Sequence, residues 1–131
     1  MEIGAVGEAS LTVRLEDTAQ ALSKSAEDVF PAVFATARMV ALMELAAARV
    51  MRPFLQEGQL SVGVSVAIEH TAATPIGSVV RALAIYRGAE GRLYRFDIEA
   101  FDEAGSIGAG THTRATVSTE RLLAGAARRR S

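Results

Sequence analysis

Glu44 and His70 combine residue types suited to acid–base or nucleophilic chemistry with apolar surroundings, and Thr36 precedes Glu44 in the same run. Glu44 sits in an apolar run. From Met39 to Met51 the chain is Met, Val, Ala and Leu, broken only by Glu44 and Arg49. Apolar side chains all around a helix mark it as buried against a larger surface. A carboxylate there loses hydration and has to be paired, hydrogen-bonded or protonated. His70 ends the run LSVGVSVAIEH, whose alternation places it on the face of Leu60, Val62, Val64, Val66 and Ile68. If that face covers the helix, His70 approaches the element that carries Glu44. A His–Glu contact fixes one imidazole tautomer and prepares the pair for proton transfer or nucleophilic attack. Alternatively, His70 is a strand-end histidine satisfied by a backbone carbonyl. Thr36 lies eight residues before Glu44, roughly 80° away around a helix. It suits a helix N-cap, and a hydroxyl so placed can also orient a water or a carbonyl.

Other polar residues point less clearly to chemistry. His112 falls in GTHTRAT, in opposite phase to Ile107, Ala109 and Val117, which favours a wet or interface position. Arg114 shares its face and suits a phosphate or a subunit seam, although a solvated strand arginine is commoner. Gly108-Ala109-Gly110 has the look of a close approach or a bulge. It is not a nucleotide loop, because no strand-then-helix context follows it. Neither histidine has a second histidine or carboxylate at ligand spacing, so no metal site is expected. No serine occupies a G-x-S-x-G turn.

The elements that must position these groups follow from periodicity. Glu8 to Leu15 alternates loosely, as an edge strand does. The long helix begins near Thr36 and stops before Pro53, whose ring would break its hydrogen-bond ladder. Four strands follow: Leu60 to His70, Ser78 to Tyr86, one in which Tyr94, Phe96, Ile98 and Ala100 alternate with Arg95, Asp97 and Glu99, and Ile107 to Val117. The turns between them are short, so neighbours run antiparallel. One long helix with a curved antiparallel sheet wrapped around it is the α+β hot-dog architecture, and such sheets pair edge to edge as dimers.

The chain has 131 residues, enough for one domain with a real core. We assign 1–120 to that domain and 121–131 to a basic, frayed C-terminal tail ending in Arg128 to Arg130. A net charge of -1 gives no overall field for nucleic acid or an anionic membrane. No run approaches the ~20 apolar residues of a membrane span, and MEIGAVGEAS does not read as a secretory signal. Cysteine is absent, which removes disulfides and thiolate chemistry and fits a cytoplasmic protein.

The same residues carry a family resemblance. VFATARMVALMELAAARVMRPFL, SVGVSVAIEHTAATPIG and SIGAGTHTRA, spanning roughly Phe30 to Val117, resemble the fluoroacetyl-CoA thioesterase type of hot-dog protein. The resemblance implies a catalytic set of Thr36, Glu44 and His70, a substrate-contacting Gly63, and Arg114 near a dimer interface. It also implies a lid ahead of the helix, in which Phe30 is kept and Glu27 takes a second lid position. A charged side chain there does not close an apolar pocket around a C–F bond, so strong fluoro-selectivity is not expected. The expected activity is hydrolysis of a short-chain acyl-CoA by a homodimer, with no cofactor. An enoyl-CoA hydratase of the same fold is disfavoured because the chain has no asparagine. A non-catalytic acyl-CoA binder or sensor is the alternative, although both Glu44 and His70 are present.

Overall fold

The computed structural model describes residues 1–130. In chain order the main elements are β1 (Val6–Thr12), α1 (Thr36–Met51), β2 (Gln59–His70), β3 (Val79–Glu90), β4 (Leu93–Asp102), β5 (Gly105–Ser118) and α2 (Thr119–Arg128), with three short 3-10 turns between them. The five strands form one antiparallel sheet in the order β1-β3-β4-β5-β2. It curls around α1, so the hot-dog architecture expected from the sequence is the architecture found. Met39, Met43, Ala46 and Met51 of the helix pack with Ala82, Ala84, Phe96, Ile98 and Ala100 of the sheet. Alternation in β4 holds as expected, with Phe96, Ile98 and Ala100 buried.

The helix ends at Met51 and a 3-10 turn takes over at Arg52–Phe54, as Pro53 requires. Its burial differs from expectation. Ala37, Arg38, Ala41, Leu45 and Arg49 line an exposed face, and Glu44 is half-buried rather than enclosed. An all-round apolar composition hid this open face because most of its small members are alanines, whose exposure costs little. The C-terminal segment also differs: it is helical through Arg128, with the Ser118 side chain capping α2 by accepting from the Arg121 amide.

Two bulges set the directions of the site residues. The β2–β5 register shifts between Gly63 and Ser65, which reverses the inward face along β2. Ser61 and Gly63 face inward before the shift, toward Arg114 and Glu44. Ile68 and His70 face inward after it, and Leu60 is 49% exposed. A second irregularity, between Ala100 and Phe101, leaves Ile107 unpaired on β5 and buried. Taking Ile107 as the phase marker therefore puts His112 on the wrong side. His112 and Arg114 are 2% and 6% exposed and belong to the interior.

Helix and sheet approach closely at Gly7. A Cβ there would run into the Ala46 carbonyl oxygen and would lie 2.6 Å from Val50 Cγ2. The backbone oxygen cannot yield as a side-chain tip would. Gly7→Ala should therefore lower Tm by about 5–10 °C in a thermal melt without changing the far-UV spectrum.

Candidate active site

Thr36 is the first residue of α1, not its cap; Ala35 occupies the cap position and makes no side-chain cap bond. The Thr36 hydroxyl instead meets His70 Nδ1 at 2.8 Å. Phe34 stands edge-on to the His70 ring, with centroids 6.5 Å apart. His70 Nε2 is buried and has no hydrogen-bond partner among the described residues. A buried polar atom left so is costly and calls for an explanation. A cavity of about 340 Å³ opens beside the pair, lined in part by Val33, Phe34, Thr36 and His70. Thr36 also borders an apolar cavity of about 320 Å³, lined by Leu22, Phe30 and three alanines. Phe30 is 48% exposed at its rim. Glu27 is exposed and does not line it.

Glu44 lies two turns further along α1, ~12 Å from Thr36 by the helical rise of ~1.5 Å per residue. It does not pair with His70 of its own chain. Its Oε2 accepts from Arg114 Nη1 at 3.2 Å, and this ion pair joins a well-covered guanidinium to a carboxylate 41% exposed. Arg114 is further held by Ser61, through Nε to the hydroxyl at 3.1 Å and Nη2 to the carbonyl at 3.1 Å. Burial pulls the Arg114 guanidinium below its ordinary value, and the Glu44 carboxylate opposes that shift. Gly63 leaves room for the carboxylate: a Cβ on it would run into Glu44 Oε2 and displace that side chain from its place. Glu44, Gly63, Val64, Ser65, Val66 and His112 line an open cavity of about 160 Å³.

His112 completes this cluster. Its Nδ1 meets the Ser65 carbonyl at 2.8 Å and its Nε2 meets Arg114 Nη1 at 3.2 Å. Burial, more than any other cause, holds its pKa below the ordinary imidazole value; the Ser65 carbonyl opposes that shift, and the Arg114 charge adds to it. The structure brings Thr36 to His70, and Gly63 and Arg114 to Glu44, as two separate groups, and leaves Glu44 apart from the His70 it was expected to meet. Sequence reasoning left Ser61 and Ser65 unassigned and turned His112 outward. A usable signal was the two-residue spacing of His112 and Arg114, which puts both on one strand face. No group of carboxylates and histidines suited to hold a metal occurs among the described residues, and no helix among them is long and apolar enough to cross a membrane.

A helix cradled in a curled antiparallel sheet, with a Thr–His pair at its start and a carboxylate open to a cavity at its middle, defines a hot-dog thioesterase. The chain belongs to the fluoroacetyl-CoA-specific thioesterase family, whose model matches residues 13–120. It is 45% identical over 95 residues to the fluoroacetyl-CoA thioesterase of Streptantibioticus cattleyicolor, covering 72% of this chain and 68% of that one. A solved structure of a fluoroacetyl-CoA thioesterase variant in complex with acetyl-CoA superposes with a TM-score of 0.93 at 37% identity, over 98% of each chain. A thioesterase superfamily member from Thermus thermophilus gives a TM-score of 0.88 at 28% identity, over 98% of this chain and 93% of that one.

Proposed function

We propose that this protein hydrolyses a short-chain acyl-CoA to the free acid and CoA, at sites shared between two copies. The observation that carries this is the division of the catalytic types. Thr36 and His70 meet at one end of α1, Glu44 stands ~12 Å along it, and the intervening strand β2 is a bare sheet edge.

An edge strand of twelve residues with Val64 53% and Val66 40% exposed is a template for strand pairing. A second copy of this chain fits it, because antiparallel pairing of β2 with itself is self-complementary under a two-fold axis. An axis midway between Gly63 and His70 sets Gly63 of one copy opposite His70 of the other. Glu44 lies under Gly63 and so reaches the other copy's Thr36–His70 pair. The exposed stripe of Ala37, Ala41 and Leu45 lies on the same helix and gains cover in such a pair. His70 Nε2 then has the partner it lacks within one chain.

In the assembled site Glu44 acts as nucleophile or as general base toward water. Arg114 keeps its carboxylate aimed, and Gly63, bare of a side chain, lets the thioester approach it. The Gly63 N–H contacts the acyl carbonyl as oxyanion charge develops. His70, held by Thr36, serves in proton transfer to or from the reacting groups. The apolar cavity of Leu22, Phe30 and alanines suits a short acyl group, and Glu27, exposed and away from it, neither charges nor closes that pocket. The absence of cysteine supports a reducing, cytoplasmic setting.

Free-thiol release from acetyl-, fluoroacetyl-, propionyl-, butyryl-, phenylacetyl- and long-chain acyl-CoA tests this directly. The chain has no cysteine, so a thiol-reactive dye reports released CoA alone. Turnover is expected on the short acyl groups and weak or absent on the long ones. Binding of CoA esters without turnover of any of them would replace hydrolysis by acyl-CoA sensing.

A further inference from the structure

We infer that His112 is a positioning residue for Glu44, with its neutral Nδ1–H imidazole locking the bulge of β2 to the Arg114–Glu44 pair. This rests on the thioesterase reading above and adds to it a residue that contributes no catalytic proton. The protonation state follows from the partners. The Ser65 carbonyl, 2.8 Å from Nδ1, can only accept, so Nδ1 carries the hydrogen. The Arg114 guanidinium, 3.2 Å from Nε2, can only donate, so Nε2 presents its lone pair. One state of the ring satisfies both, and it is neutral. The bonds then run unbroken: His112 Nδ1–H to Ser65 O, Arg114 Nη1–H to His112 Nε2, and Arg114 Nη1–H to Glu44 Oε2.

The two ends of this chain of bonds are the two walls of the Glu44 cavity. Ser65 fixes the strand just past the Gly63 bulge, and Glu44 supplies the reacting oxygen from α1. Each element packed against the ring contributes one group: the Ser65 carbonyl from β2, Arg114 from β5, Glu44 from α1, and the uncharged Phe96 ring from β4, at a centroid distance of 6.2 Å. A second proton on His112 would point an N–H at the guanidinium and release Arg114 from its place. Burial opposes that proton in the folded protein. The unfolded chain takes it up near pH ~6.5, so stability is full above that pH and falls as pH drops toward the folded value.

The test pairs ¹⁵N-histidine NMR of the intact protein with kinetics of two variants. At pH 6.5 the ring of His112 is expected to show a protonated Nδ1 and a free Nε2. His112→Leu, which keeps volume but neither bond, should lower kcat roughly 10- to 100-fold with KM within about 3-fold. His112→Gln, which restores an acceptor for Arg114, should recover most of that loss, a rescue that packing alone does not give. A folded His112→Leu protein with kcat within about 3-fold of wild type would overturn the inference. So would an Nε2–H tautomer or a charged ring at pH 6.5, even if the leucine variant fails to fold. Wild-type inactivity on every thioester would instead sink the proposed reaction, and the NMR result would still decide the state of His112.

Discussion

Glu44→Gln is expected to lower kcat for acyl-CoA hydrolysis about 10³-fold while KM stays within about 3-fold. The amide has nearly the shape of the carboxylate, and its oxygen can still accept from Arg114, so the cavity keeps its form. What is lost is the charge that attacks the thioester carbonyl or takes a proton from water. Stability should barely move. Glu44 is 41% exposed, and an ion pair wet on one side contributes at most about 1 kcal/mol. A thermal melt beside the kinetics separates the two effects: unchanged Tm with lost turnover assigns Glu44 to the chemistry. Full turnover in a folded Glu44→Gln protein would remove the carboxylate from the mechanism.

His70→Ala should cost roughly 10²- to 10³-fold in kcat, by removing the imidazole that Thr36 holds at 2.8 Å. His70 lies at the end of β2 and is only partly buried, so its loss opens space without collapsing the core. Exogenous imidazole should restore part of the rate, because the vacated space adjoins the 340 Å³ cavity. No loss of rate in His70→Ala would reduce the Thr36–His70 bond to a structural clasp at the helix start.

Much of this arrangement was legible from residue order, and the exceptions have physical causes. The helix from Thr36 to its stop at Pro53 follows from a long apolar run ended by a ring that cannot continue it. The alternation in β4 identifies Phe96, Ile98 and Ala100 as core because that strand is regular over them. β2 was half legible. A bulge adds one residue to one strand and carries no compositional mark beyond the nearby Gly63, so strict alternation misplaces Leu60 and Val62. The same blindness at Ile107 turned His112 and Arg114 outward. The missing Glu44–His70 contact has a simpler origin. The eight-residue offset fixes an angle of roughly 80° around the helix but also a rise of ~12 Å along it, and the rise separates Thr36 and Glu44 into two half-sites. In the two-copy site proposed above, what joins those halves lies outside a single chain and could not be read from periodicity.

The resemblance in FAT, LME and HTAATP pointed to the residues, whereas the geometry explains why they need each other. Thr36 restrains His70. Arg114 and His112 restrain Glu44. Gly63 stays bare so that the carboxylate has room.

Mixing the two inactive variants tests the shared site most directly. Glu44→Gln and His70→Ala chains, unfolded together or co-expressed at equal amounts, form half their dimers as hybrids if pairing is random. Each hybrid holds one site with both side chains intact and one site lacking both. The mixture should therefore recover about a quarter of wild-type thiol release. Activity that stays at the level of the separate variants, with hybrids present by native mass spectrometry, would contradict a site built from two copies.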